Sequence, residues 1–284
     1  MNVLLIGGSR FIGPLIIQYL LQKGHKITVF NRGVHQSLYP KDIRFIKGDR
    51  DNGIPISEKF DVVIDTSAYT GIQTQKALQD LQFDLFIHLS TVAVYQKSSL
   101  LPYTEDSPLG QWPLWGEYNR RKVECEQVLQ KSGIPYASVR PVYILGAHNY
   151  LKREEFIYAH IKKKKQLSIP GDGKANMQFV FVEDVARSLC LIAEKKSQGV
   201  FNCAGDEVVS LEDLMHLMAK IVGSEALIRY NPTTNGVNFI PDEFPFANED
   251  VVCSNLKLKS LGISFTPLFE GLNRDYQNYY QNII

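Results

Sequence analysis

Tyr118 and Lys122, four residues apart in EYNRRKVECEQVL, carry the first chemistry the chain offers. On a helix that spacing puts both side chains on one face. A phenol ionises near pH 10 and is a poor base at neutral pH. A lysine ammonium within about 6 Å stabilises the phenolate and lowers its pKa, which makes Tyr118 a general acid/base with Lys122 as its partner. Upstream, HLSTVAVY sets Ser90 and Thr91 at the end of an apolar run, where Thr91 is placed to hydrogen-bond a substrate oxygen.

The N-terminus MNVLLIGGSRFIG supplies a second motif. A short strand runs into Gly7, Gly8, Ser9, Arg10, Phe11, Ile12 and Gly13 and then into an amphipathic helix, the context a dinucleotide fingerprint requires. Gly7 makes the tight turn, Gly13 lets helix and strand approach, and the helix start offers free N–H groups to a pyrophosphate. About 20 residues on, at the end of the second strand, an acid would take the ribose hydroxyls of NAD. Asn31 and Arg32 stand there instead. An arginine pairs bidentately with a 2′-phosphate that an acid would repel, and Arg10 projects beside the same ribose. The favoured cofactor is therefore NADP, with NAD the other choice; two solvated arginines are the plain alternative.

These residues need a scaffold. Apolar runs at 3–6, 26–30, 42–46, 61–65, 84–90, 136–141 and 199–204 are continuous rather than alternating, as in parallel strands covered on both faces. Helical stretches separate them, the first closed by Gly24. The expectation is an α/β, Rossmann-type doubly wound parallel sheet with a smaller C-terminal α/β lobe for substrate. Residues 1–141, with return segments at about 179–204, form the NAD(P)-binding domain, and 142–178 with 205–284 form the lobe. The long segment 96–117 reads as a functional loop. Its Trp112 and Trp115 line a pocket or cover the core. His88 reads as core, His148-Asn149 as a substrate contact or a plain turn, and Asp184 as an anchor. The aromatic tail RDYQNYYQNII packs on the lobe or forms a homodimer interface.

With 284 residues, 44% hydrophobic and 21% charged, the chain can bury an ample core. A net charge of +1 gives no general pull toward nucleic acid or anionic membrane, which argues against both as partners. Cys125, Cys190, Cys203 and Cys253 are widely spaced, so neither disulfides nor a metal site is expected, and a reducing compartment, the cytoplasm, fits them. Residues 2–6 are too short for a leader or a membrane span.

In the order GGSRFIG, GDRD (48–51), STVAVY, YNRRK, RPVYILG, PGDG, FVFVEDVA and LGISFTPLFEGL, the chain resembles the extended short-chain dehydrogenase/reductases, the NAD-dependent epimerase/dehydratase family. The loop arginine is similar to the branch containing chloroplast stem-loop-binding proteins and their bacterial relatives. The resemblance implies Thr91, Tyr118 and Lys122 as the catalytic set, with Lys122 also on the nicotinamide ribose, Asp49 near adenine, and a sugar or sugar nucleotide as substrate. Val92 and Ala93 follow Thr91 where dehydratases carry Asp and Glu, which speaks against dehydration. Met177 and Ala247 occupy the places of diphosphate-clamping arginines, which weakens a UDP-sugar; Lys174 or Arg229 are the candidate substitutes. The resemblance thus implies an oxidoreductase moving hydride between nicotinamide and a sugar-like hydroxyl/keto compound, with a nucleotide-sugar 4-epimerase as the alternative and an RNA binder behind both.

Overall fold

The computed structural model describes residues 1–35 and 39–284. In chain order its strands are β1 (Asn2–Ile6), β2 (Lys26–Asn31), β3 (Arg44–Lys47), β4 (Lys59–Asp65), β5 (Gln82–Leu89), β6 (Tyr136–Pro141), β7 (Tyr143–Leu145), β8 (Leu167–Pro170), β9 (Met177–Phe181), β10 (Gly199–Cys203), β11 (Val208–Val209) and β12 (Ile228–Asn231). The helices are α1 (Ile12–Gln22), α2 (Gly71–Asp80), α3 (Gly116–Ser132), α4 (Arg153–Lys162), α5 (Val182–Lys195), α6 (Leu211–Val222), α7 (Leu256–Leu261) and α8 (Leu268–Asn278).

Seven strands form one sheet in the order β10-β6-β5-β4-β1-β2-β3, every neighbouring pair parallel. The seven apolar runs of the sequence supply these strands. They are continuous because helices cover both faces: α1 packs against α5, and α2 against α3. Strand order reverses between β1 and β4, so their C-terminal ends open a crevice, the usual ligand site of such sheets. β3 begins at Arg44, later than the run 42–46 suggests, because the Ile43 N–H closes a turn onto the Pro40 carbonyl at 3.0 Å.

A second apolar core gathers α4, α6 and α8 around β8 and β9, with Ile157, Tyr158, Met215 and Tyr276 among its members. β9 is the seam between the cores. Met177, Phe179 and Phe181 enter the second core, while Val180 enters the one on the main sheet, as the two-residue period of a strand demands, and Val182 joins it from the first residue of α5. FVFVEDVA is not strand throughout: Val182 opens α5, with Glu183 and Asp184 in its first turn, where acids complement the helix dipole. Asp184 is an anchor, accepting from the Thr266 N–H at 2.8 Å and its hydroxyl at 3.0 Å. Tyr276 and Tyr280 of the aromatic tail are buried in the second core. Among the described residues no helix is long and apolar enough to cross a membrane, and no group of three or more His, Cys, Asp or Glu could hold a metal.

Candidate active site

A cleft of about 650 Å³ opens where β1 and β4 diverge and runs from Gly7–Gly13 to Thr91, Tyr118 and Lys122. At the first end the backbone is packed as tightly as atoms allow. A Cβ on Gly13 would lie 2.3 Å from the Gly8 Cα, and one on Gly7 would lie 2.5 Å from the Thr66 Oγ1. Phe11, at φ +53°, precedes α1 without a capping side chain, which leaves helix-start N–H groups for an anion. Close-packed backbone, helix start and an elongated cleft together fit a dinucleotide.

The end of β2 is more committed than the sequence suggests. The Asn31 amide donates to the Gly7 carbonyl at 2.7 Å and to the Tyr39 hydroxyl at 2.9 Å, and its oxygen accepts from the Gly33 N–H at 2.8 Å. Asn31 thus braces the loop. The Asp49 carboxylate accepts from the Asp51 N–H at 3.0 Å and caps a turn over Arg50–Asn52. Neither Asn31, Arg32 nor Asp49 lines the cleft. Arg10 does, with its guanidinium 4.5 Å above the Tyr150 ring.

At the other end, Thr91 begins the turn after β5 and lines the cleft together with the Tyr118 phenol from α3, its hydroxyl near enough to favour the phenolate. Asn119 holds these two elements in register, its amide donating to the carbonyls of Ala93 at 2.6 Å and Gly110 at 2.8 Å. The Lys122 ammonium donates to the carbonyls of Ala68 at 3.0 Å and Leu89 at 2.8 Å. Burial draws that ammonium below its ordinary range. The expected lowering of the Tyr118 pKa by Lys122 is corrected here: burial pushes the phenol up to about 12, against the opposing effects of the neighbouring Thr91 hydroxyl and the Arg153 charge. Ser90 also lines the cleft, with its hydroxyl turned inward to donate to the Glu126 carboxylate at 2.6 Å.

Beneath the site lies buried charge that local motifs did not reveal. Arg50 grips Asp65 bidentately, both contacts at 2.7 Å, and Asp65 also accepts from the N–H groups of Ser67 and Ala68 at 3.0 Å. Burial raises Asp65, but Arg50 overrides it and holds the carboxyl at about 2. The pair fixes the segment whose Ala68 carbonyl receives Lys122. Arg140 grips Glu126 in the same way, at 2.9 and 2.5 Å. His88 is core: fully buried, with burial pulling its pKa down to about 3.

The other candidates divide. Trp112 is buried, while Trp115 lines the cleft against Tyr143. His148 packs at a tilt against Tyr279, with ring centres 4.3 Å apart, and Asn149 lines the cleft with its amide donated to Glu154. Met177 and Ala247 are buried apolar residues. Lys174 and Arg229 do not line this cleft; Lys174 borders a second pocket with Tyr230 and Asn235. A third cation that lines the main cleft beside Arg10 and Lys122, Arg153, was missed. Its one signal is an arginine at a helix start, where the dipole disfavours positive charge.

A model of the NAD dependent epimerase/dehydratase family matches residues 3–80 and 75–204. The chloroplast stem-loop binding protein of 41 kDa b of Arabidopsis thaliana is 29% identical over 97% of this chain and 78% of its own length. A UDP-glucose 4-epimerase of Lactobacillus helveticus is 25% identical over 83% of this chain and 86% of its own. Among solved structures, UDP-glucuronic acid 4-epimerase from Bacillus cereus, in complex with UDP-glucuronic acid and NAD, superposes with a TM-score of 0.80 over 100% of both chains. At 21% identity that likeness is one of fold.

Proposed function

The chain belongs to the NAD dependent epimerase/dehydratase family, and on that premise we propose that it oxidises or reduces a hydroxyl or keto group of a sugar-like small molecule, with Tyr118 as acid/base. A nicotinamide dinucleotide, when bound along the cleft, supplies the hydride acceptor or donor. Gly7, Gly8, Ser9, Phe11, Ile12 and Gly13 hold its pyrophosphate against the start of α1, and the Ser90 backbone and Lys122 border its ribose. Tyr118 takes the proton of the substrate hydroxyl or returns one to the carbonyl oxygen, and Thr91 hydrogen-bonds that same oxygen. Lys122, fixed by two carbonyls, is held one helical turn from Tyr118, where it faces the ribose rather than the phenol. A phenol held at about 12 is protonated at neutral pH, which suits proton donation and hence reduction.

The observation that carries this proposal is the meeting of Thr91, Tyr118 and Lys122 in one cleft with a loop whose Gly7, Gly8 and Gly13 leave no room for a Cβ. NADP is the preferred cofactor. Asn31 stands where an NAD-selecting acid would, and among the described residues Arg32 is in no ion pair. Residues 1–141 with 179–204 serve the cofactor, and 142–178 with 205–284 serve the substrate. A nucleotide-sugar 4-epimerase is the second reading, favoured by the names of the relatives and disfavoured by the buried Met177 and Ala247.

Thermal stabilisation by NADP, NAD and a panel of sugar nucleotides tests the proposal. Label passing from deuterated NADPH into product supports a reductase; unlabelled product with retained cofactor supports a 4-epimerase. No stabilisation by either cofactor, with salt-steep RNA binding indifferent to Tyr118→Phe, overturns both.

A further inference from the structure

The walls of the main cleft carry three cations, Arg10, Lys122 and Arg153, and no Asp or Glu among the described residues. Lys122 is committed to two carbonyls, and Arg10 sits in the glycine loop against Tyr150. Arg153 is left at the Tyr118 end. Its guanidinium lies over two aromatic faces, 4.9 Å from the Tyr143 ring centre and 5.6 Å from that of Phe246. Among the described residues no hydrogen bond or ion pair takes its N–H groups.

The neighbouring carboxylates are engaged elsewhere. Glu154 accepts from the Gly146 N–H at 2.5 Å and the Asn149 amide at 3.0 Å, Glu155 pairs with Lys152 at 3.5 Å, and Glu249 pairs with Lys97 and accepts from the Trp112 ring N–H at 3.3 Å. Stacking orients a guanidinium plane and leaves its edge of donors free, a geometry that matches a planar or tetrahedral oxyanion. A half-buried cation without a counter-ion, at a helix start that disfavours it, is costly to keep for stability alone.

We propose that Arg153 is a substrate-recognition residue that takes, bidentately, a carboxylate or phosphate group carried by the substrate beside the carbon on which Tyr118 acts. The substrate is thus an acidic sugar or a sugar phosphate rather than a neutral polyol. This rests on the function proposed above. It is supported by geometry: Arg153 and Tyr118 line the same cleft, and Trp115, which leads into the helix of Tyr118, packs on the Tyr143 ring that carries the Arg153 guanidinium.

The test uses the full chain saturated with NADP or NAD and measures affinities by calorimetry for three pairs: glucuronate against glucose, glucose 6-phosphate against glucose, and UDP-glucuronate against UDP-glucose. The first pair reads a carboxylate, the second a phosphoryl group, and the third separates a sugar carboxylate from the linking diphosphate. At least one charged member should bind about tenfold or more tightly than its neutral partner. Arg153→Gln should abolish that preference and Arg153→Lys should recover part of it. Equal affinity within every pair, including failure of all members to bind, or a preference that survives Arg153→Gln, overturns the proposal. Cofactor affinity, measured first on the wild type and each variant, separates the two levels: loss of cofactor binding in the wild type sinks the oxidoreductase assignment, whereas retained cofactor binding without an anion preference sinks only the role of Arg153.

Discussion

Thr91 and Tyr118 face the same cleft although one comes from the turn after β5 and the other from α3. The Ala93 N–H donates to the Thr91 oxygen at 3.2 Å, which leaves the Thr91 hydroxyl hydrogen to be donated into the cleft. Removing either group should damage turnover rather than cofactor binding. Tyr118→Phe is expected to lower kcat by about 10³-fold, within the range for a general acid/base, and Thr91→Val by about 10- to 100-fold, with Thr91→Ser restoring most of it. Steady-state kinetics with separate cofactor titrations check this. An equal loss in cofactor affinity would assign these residues to binding instead.

Gly13 is tested by one added methyl group. A Cβ at 2.3 Å from the Gly8 Cα meets backbone, not a side chain that can swing away, so the start of α1 must shift. Gly13→Ala should cost about 1–3 kcal/mol in stability and weaken cofactor binding at least about tenfold. Gly24→Ala, with nothing within 4 Å of its Cβ, disturbs only a helix end and should leave cofactor affinity alone. Urea titration and cofactor binding of the two variants decide the matter.

What was legible in the sequence was local. Seven parallel strands show as continuous apolar runs because both faces are covered, and the glycine loop, Thr91 and the Tyr118–Lys122 pair each lie within a few residues of their motif partners. What was hidden depends on chain segments meeting. Arg50 finds Asp65 only because the turn after β3 comes over the end of β4, and Glu126 finds Arg140 only because α3 lies on β6. Lys122 is fixed by backbone carbonyls, which every residue has, so no letter of the sequence could name them. Ser90 fell between: its place at the strand end was legible, but not the buried carboxylate that claims its hydroxyl.

Arg10 and Arg32 set the cofactor ratio if the 2′-phosphate is recognised. Arg10 rests on Tyr150 at 4.5 Å, an aromatic stack that orients its fork without using its N–H groups. Arg10→Gly and Arg32→Ser should each reduce the preference for NADP over NAD by about tenfold, mainly through weaker NADP binding. The ratio of the two dissociation constants is the readout. An unchanged ratio in both variants would remove the 2′-phosphate from the account of these arginines.

Glu126 is the acceptor at the centre of a buried cluster, taking bonds from Ser90 at 2.6 Å, Ser138 at 2.9 Å and Arg140. Both members of the Glu126–Arg140 pair are 1% exposed, so solvent cannot replace a lost partner. Glu126→Ala should therefore cost about 3–5 kcal/mol, far more than a surface pair would. Chemical unfolding measures this directly. A cost below about 1 kcal/mol would mean that water or another anion reaches Arg140.

Glu154 gives the fold a pH dependence near neutrality. Its carboxyl is buried beside the loop that bears Asn149 and Tyr150, and burial raises it from 4.5 to about 7, beyond what its hydrogen bonds with Gly146 and Asn149 can offset. The folded chain therefore holds a proton that the unfolded chain has released, so this contribution is complete below about pH 4.5 and is lost as pH rises through 7. The difference amounts to roughly 3 kcal/mol. Glu154→Gln, which mimics the protonated form, should flatten the fall in stability between pH 5 and 8 that urea titrations of the wild type are expected to show. Identical slopes for both proteins across that interval would place the Glu154 carboxyl at its ordinary value.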